Sequence, residues 1–161
     1  MRFIAEQLGI TDTKLTRIGV RYGHDCIGTI MIPNAAFLHR VLVIDDEPEM
    51  RSLMQRGLRL AGYAVETVDG GEAGLKAANR ERPDLVLLDL MMPGFDGFET
   101  LKRLCAIAPH LKVIVLSCHD QPEDRQRAAN ANLFLVKPVP FGVLLESIQA
   151  TIAFPLTSIL A

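Results

Sequence analysis

Four apolar runs in this 161-residue chain end in residues that can do chemistry. Val41-Leu42-Val43-Ile44 runs into Asp45-Asp46, and Leu85-Val86-Leu87-Leu88 into Asp89. Val113-Ile114-Val115-Leu116 ends at Ser117, and Leu133-Phe134-Leu135-Val136 at Lys137-Pro138. Carboxylates about 4 Å apart repel by roughly 4 kcal/mol per pair at an effective dielectric near 20. If one fold gathers Asp45, Asp46 and Asp89, they cannot all stay ionised without a cation. Hard oxygen ligands from a few side chains suit Mg²⁺ better than zinc, which would draw on His or Cys. Lys137 adds one fixed positive charge, too little to balance three acids. A carboxylate beside Mg²⁺ and a lysine is a competent nucleophile toward phosphorus, because both cations offset the charge on the transferring oxygens. Ser117 would then donate a hydrogen bond to one of those oxygens. Asp89 is assigned as the phosphoryl acceptor: it ends the central strand, and the loop Pro93-Gly94-Phe95-Asp96-Gly97 leaves room for a donor.

The elements needed to bring these residues together are legible from residue 41 onward. Five short runs, the four above and Ala64 to Val68, alternate with helical spacing, the pattern of βα units around a parallel sheet. Four of the five are apolar without alternation, as strands covered on both faces are. Met50, Leu53, Met54, Gly57, Leu58 and Ala61 repeat at three and four residues, predicting a helix that begins near Pro48 and stops at Gly62. A last helix is predicted from about Pro140 through Phe141, Leu144, Leu145, Ile148 and Ile152. The expected fold is α/β: a flavodoxin-like, doubly wound, five-stranded parallel sheet of order 2-1-3-4-5, with ligands at the carboxyl ends of its strands.

Composition is that of a globular chain, 49% apolar and 22% charged, with a formal net charge of −2 that gives no general attraction for nucleic acid or an anionic membrane. No stretch approaches the roughly 18 apolar residues of a membrane span, and the N-terminus lacks a signal peptide's apolar segment. A cytoplasmic location is expected. Cys26, Cys105 and Cys118 lack metal-ligand spacing and read as reduced thiols in or near the core.

Together these four motifs closely resemble the receiver domain of two-component response regulators, over about residues 39–154. The resemblance implies that Asp46 and Asp89 ligate Mg²⁺ with the backbone carbonyl of Met91, and that Asp45 does so directly or through water. It implies that Lys137 contacts the acyl phosphate, that the Lys137–Pro138 peptide is cis, and that a phosphohistidine on a kinase or phosphotransfer protein is the donor. Phe134 falls at the family's switch aromatic, so Ser117 and Phe134 would carry the signal to a face of the fourth helix, fifth strand and fifth helix, read by a downstream effector protein. Three positions depart from the common pattern: Cys118 after Ser117, and Met91 and His119 beside the path of hydrolytic water. The expected activity is a switch that catalyses only its own phosphorylation and dephosphorylation.

Residues 1–38 are a separate extension, and residues 155–161 a short tail with no output domain expected after it. Ile4, Ala5, Leu8, Gly9, Ile10, Leu15 and Ile18 fit half of a helix-turn-helix, with Lys14, Arg17 and Arg21 free for phosphates. That supports a second reading, a DNA-binding transcriptional regulator. The plainer alternatives are a helical hairpin packed on the receiver or on a second copy, a translated extension ahead of a start near Met31, or partial disorder. Homodimerisation is left open, and nucleic acid and membrane are not expected partners. Cys118-His119-Asp120 is no catalytic set, since neighbours on an extended chain point to opposite faces. His24-Asp25-Cys26 lacks further ligands and reads as a loop. A dehalogenase-type phosphatase would want an acid where Met91 stands, and the phosphate-binding G-x-x-x-x-G-K-[ST] loop of nucleotide hydrolases is absent.

Overall fold

The computed structural model describes residues 15–22, 26–33, 39–92 and 95–153. The chain divides into two units, Met1–Phe37 and Leu38–Ala161. In the first, β1 (Leu15–Tyr22) pairs antiparallel with β2 (Cys26–Pro33), Ile18 opposite Ile30 and Thr16 opposite Ile32. This corrects the helix-turn-helix reading over the described residues: Leu15, Arg17, Ile18 and Arg21 lie on a strand. The helical spacing drew on Leu15 and Ile18, but Thr16, Ile18, Val20 and Tyr22 alternate with Arg17, Gly19 and Arg21. That period of two, in a β-branched run, favours a strand. Ile4 to Lys14 and His24-Asp25 fall outside the described residues.

The second unit is the expected α/β fold. β3 (Arg40–Ile44), β4 (Ala64–Val68), β5 (Leu85–Asp89), β8 (Lys112–Ser117) and β9 (Leu133–Val136) form one parallel sheet, ordered β4-β3-β5-β8-β9. Counted along the chain within that sheet, the order is 2-1-3-4-5. Helices α1 (Pro48–Leu60), α2 (Gly71–Glu81), α3 (Gly97–Ile107), α4 (Pro122–Arg127) and α5 (Phe141–Ala153) connect or follow the strands. Gly62 closes the turn after α1 at φ +93, a backbone conformation that a Cβ would strain.

The unbroken apolar strands have a simple cause. Leu42, Ile44, Val86, Leu88, Val113 and Val115 pack on one face against Leu75, Ala78, Leu101 and Leu104 of α2 and α3. Their neighbours Val41, Val43, Leu85, Leu87, Ile114 and Leu116 pack on the other face against Met54, Leu58, Leu144 and Ile148 of α1 and α5. Each strand must therefore be apolar on both sides. The edge strands β4 and β9 are mostly half-buried. An additional two-residue pair, β6 (Met91–Met92) with β7 (Phe95–Asp96), follows β5; nothing in the spacing announced it. Of the thiols, Cys105 is half-buried, which pushes its pKa up, while Cys118 is exposed and not in the core as expected. Cys26 lies on β2.

Candidate functional site

Parallel strands end together at one rim of the sheet, and the polar residues that end them meet there. The strand ladder continues past the strands: Asp45 N donates to Val68 O (3.2 Å), Leu90 N to Leu116 O (3.1 Å) and Lys137 N to Ser117 O (2.8 Å). These bonds fix the backbone under each functional side chain. The Lys137–Pro138 peptide is cis.

Asp45 is 1% exposed and Asp89 5%, an arrangement that costs several kcal/mol per charge unless it is compensated. Lys137 compensates it. Its ammonium donates to Asp89 Oδ2 at 2.7 Å and to Asp45 Oδ2 at 3.2 Å. The remaining oxygens accept from the backbone: Asp45 Oδ1 from Glu47 N (2.8 Å) and Asp89 Oδ1 from Met91 N (2.9 Å). The second bond sets the backbone of Met91 against the Asp89 carboxylate. Burial works against the lysine's charge, and the Asp89 and Asp45 carboxylates together outweigh it, holding Lys137 above the ordinary lysine range.

Asp46 is half-buried, and the carboxylates of Asp45, Asp46 and Asp89 offer oxygens within 4.8 Å of one another. Three carboxylates against one ammonium leave two negative charges at the rim. An all-oxygen donor set with that residual charge fits a divalent, hard cation such as Mg²⁺. Ser117, fully buried at the end of β8, accepts from His119 N at 3.1 Å. Phe134 does not reach the acids. It lies opposite Val115 on β9, half-buried on the sheet, with the Arg125 guanidinium 4.8 Å from its ring centroid.

One contributor was missed. Arg51, in the first turns of α1, donates from Nη1 to the carbonyls of both Asp45 (2.8 Å) and Asp46 (2.7 Å), pinning the acidic loop. Its helical position looks like any solvated arginine, and only the folding back of the loop onto α1 shows its use. An open cleft of about 640 Å³ lined by His39, Arg82, Asp84 and His110 lies at the other end of the strands, away from this chemistry.

Removing the ammonium should be felt in stability. Lys137→Met leaves two buried carboxylates facing each other and is expected to cost about 2 kcal/mol, below the full penalty of a broken buried pair because the lysine is partly solvated. The lysine's contribution is complete below its unfolded pKa and is lost only as pH rises through the higher folded value, so neutral pH measures all of it. Urea unfolding with and without MgCl₂ checks this: the variant should be less stable and should gain more from magnesium than the wild type. Equal midpoints and equal magnesium response would contradict it.

The geometry has many counterparts among known proteins. Residues 41–149 match the family model of the response regulator receiver domain. The transcriptional regulatory protein PrrA of Mycobacterium tuberculosis is 40% identical over 114 residues, 69% of this chain and 48% of that protein. HprR of Escherichia coli, also named a transcriptional regulatory protein, is 36% identical over 69% of this chain and 50% of its own. The chain thus spans about half the length of the curated relatives it matches. Among solved structures, a CheY-like receiver domain protein from Methanospirillum hungatei superimposes with a TM-score of 0.69, at 27% identity, covering 71% of this chain and 94% of that one. TrrA of Thermotoga maritima, solved in complex with Mg(2+)-BeF, gives 0.66 at 32% identity, over 70% of this chain and 98% of that one.

Proposed function

This chain belongs to the response regulator receiver family, and we propose that Asp89 accepts a phosphoryl group from a phosphohistidine donor and that the resulting acyl phosphate switches protein contacts. The observation that carries the reading is the bridge of Lys137 between the buried Asp89 and Asp45, with Asp46 at the same rim. An Asp89 oxygen attacks phosphorus, the phosphorus–nitrogen bond of the donor breaks, and its electron pair leaves on the imidazole. Each Asp89 oxygen accepts one hydrogen bond here, which leaves lone pairs for that attack. Lys137 stays in place to offset charge on the transferring oxygens, and the Ser117 hydroxyl turns from accepting a backbone bond to donating to the product. Mg²⁺, held by Asp46, Asp89, the Met91 carbonyl and Asp45, would supply further positive charge for the transfer and for the acyl phosphate.

Phosphorylation replaces the single charge of the Asp89 carboxylate with about −1.5 to −2 and brings three acceptor oxygens, drawing Ser117 inward and opening space behind it for the Phe134 ring. Phe134 has no hydroxyl, so its part in the switch is packing. Reversing a 1:99 population to 99:1 takes about 5.5 kcal/mol of differential stabilisation. The partners on this reading are a histidine kinase or histidine phosphotransfer protein upstream and an effector protein reading the α4, β9 and α5 face. The chain's chemistry is confined to gaining and losing its own phosphoryl group. The DNA-binding reading loses its helical basis over residues 15–22 and 26–33, which are strands. Among the described residues no helix is long and apolar enough to cross a membrane.

Intact mass spectrometry after incubation with acetyl phosphate tests the reading. A labile, phosphate-sized adduct is expected with MgCl₂, falling to background with EDTA. No adduct in either condition, or one indifferent to EDTA, would refute it.

A further inference from the structure

The short helix α4 contains no buried residue, yet it carries two arginines that each cover an aromatic ring on a different element. Arg127 lies 3.7 Å from the Phe98 centroid on α3 and reaches Asp96 Oδ2 at 3.3 Å. Arg125 lies 4.8 Å from the Phe134 centroid on β9, while its Nε donates to Asp120 Oδ1. Asp120 belongs to the loop that begins at Ser117, whose own hydroxyl receives His119 N. A chain of contacts therefore runs from Ser117 through His119 and Asp120 to Arg125 and onto the ring. An arginine over an aromatic face is attracted by the ring's quadrupole, by about 0.5–1 kcal/mol at exposed sites. The planar guanidinium makes both contacts at once, an edge N–H on the carboxylate and a face on the ring; a lysine ammonium has no such plane.

We propose that Arg125 is a positioning residue which, anchored on Asp120, holds the Phe134 ring where it lies while Asp89 is unmodified, and so couples the loop after β8 to β9. The inference rests on the reading of Asp89 as phosphoryl acceptor. It gives the phenylalanine an anchor that a hydroxyl-free side chain cannot make through hydrogen bonding. Movement of Ser117 toward a phosphoryl group would carry the loop and Asp120 with it and loosen the guanidinium from the ring. An arrangement that gives up the contact is favoured once the contact is removed.

Two readouts on the full chain test this. The first is the rate of adduct formation from acetyl phosphate with MgCl₂. Arg125→Ala should raise it about two- to fivefold, the span of one exposed cation–π contact. Arg127→Ala, which uncovers Phe98 instead, should leave it unchanged. In a Phe134→Leu background the effect of Arg125→Ala should vanish. The second readout needs no phosphorylation: the ¹⁹F resonance of 4-fluorophenylalanine placed at position 134 should shift in Arg125→Ala and in Asp120→Asn, but not in Arg127→Ala. If the wild type forms no adduct, the reading of Asp89 fails, and the fluorine signal still decides whether Arg125 holds the ring. A silent Arg125→Ala in the fluorine spectrum, an unchanged or slower rate, or an equal effect with leucine at 134 would overturn the proposal.

Discussion

Asp89→Asn is expected to bring adduct formation from acetyl phosphate to background while leaving the fold intact. The carboxamide has nearly the carboxylate's shape, and its oxygen still accepts from Met91 N, which now donates to Asp89 Oδ1 at 2.9 Å. Lys137 keeps Asp45 at 3.2 Å, so its ammonium is not left buried without a counter-charge. What disappears is the anionic oxygen that attacks phosphorus, and with it one of three carboxylates for a divalent cation. Asp45→Asn and Asp46→Asn remove charge but not the nucleophile, and should slow the reaction without abolishing it. Mass spectrometry of the three variants beside urea unfolding separates chemistry from folding. An adduct of wild-type yield in Asp89→Asn would mean that another residue is modified.

Gly97→Ala is expected to lower both stability and the rate of phosphorylation by adding a single methyl group. A Cβ there would lie 2.6 Å from Leu90 Cα, 2.7 Å from Leu90 O and 2.9 Å from Asp89 O, all of them backbone atoms that no side-chain rotation can clear. The chain just after Asp89 must move, at a cost of about 1–3 kcal/mol, and the carboxylate moves with it. Both the urea midpoint and the rate of adduct formation should fall, although no chemical group has been removed. Gly142→Ala is the control: nothing lies within 4 Å of its Cβ, and alanine in a helix should be neutral or stabilising. Equal stability of Gly97→Ala and wild type would show that the close approach of α3 to β5 is not as described.

The sheet was readable because of how it is buried. Val41 to Ile44 and Leu85 to Leu88 are covered on both faces, so every position had to be apolar and the runs stand out. The acids and Lys137 were readable for a related reason: in a parallel sheet the residues that end apolar runs share a rim, and charged residues placed there need one another. Arg51 and Arg125 were not readable, because their partners are set by how a loop folds back onto a helix and by which ring a neighbouring strand presents. The strands Leu15–Tyr22 and Cys26–Pro33 were misread because Leu15 and Ile18 stand three apart, as on a helix, while the strand's period of two shows only in the longer alternation Thr16, Ile18, Val20 and Tyr22. Length and composition do not choose between those periods. The pairing of Ile18 with Ile30 does, and that is a contact between segments.

The account turns on Asp89 holding the phosphoryl group as an acyl phosphate. Reduction of the acetyl phosphate-treated protein with borohydride converts an aspartyl phosphate to homoserine, and peptide mass spectrometry then locates it. The expected result is homoserine at position 89 and nowhere else. Homoserine at position 45 or 46, or phosphate retained on a serine or histidine with Asp89 unreduced, would contradict the account.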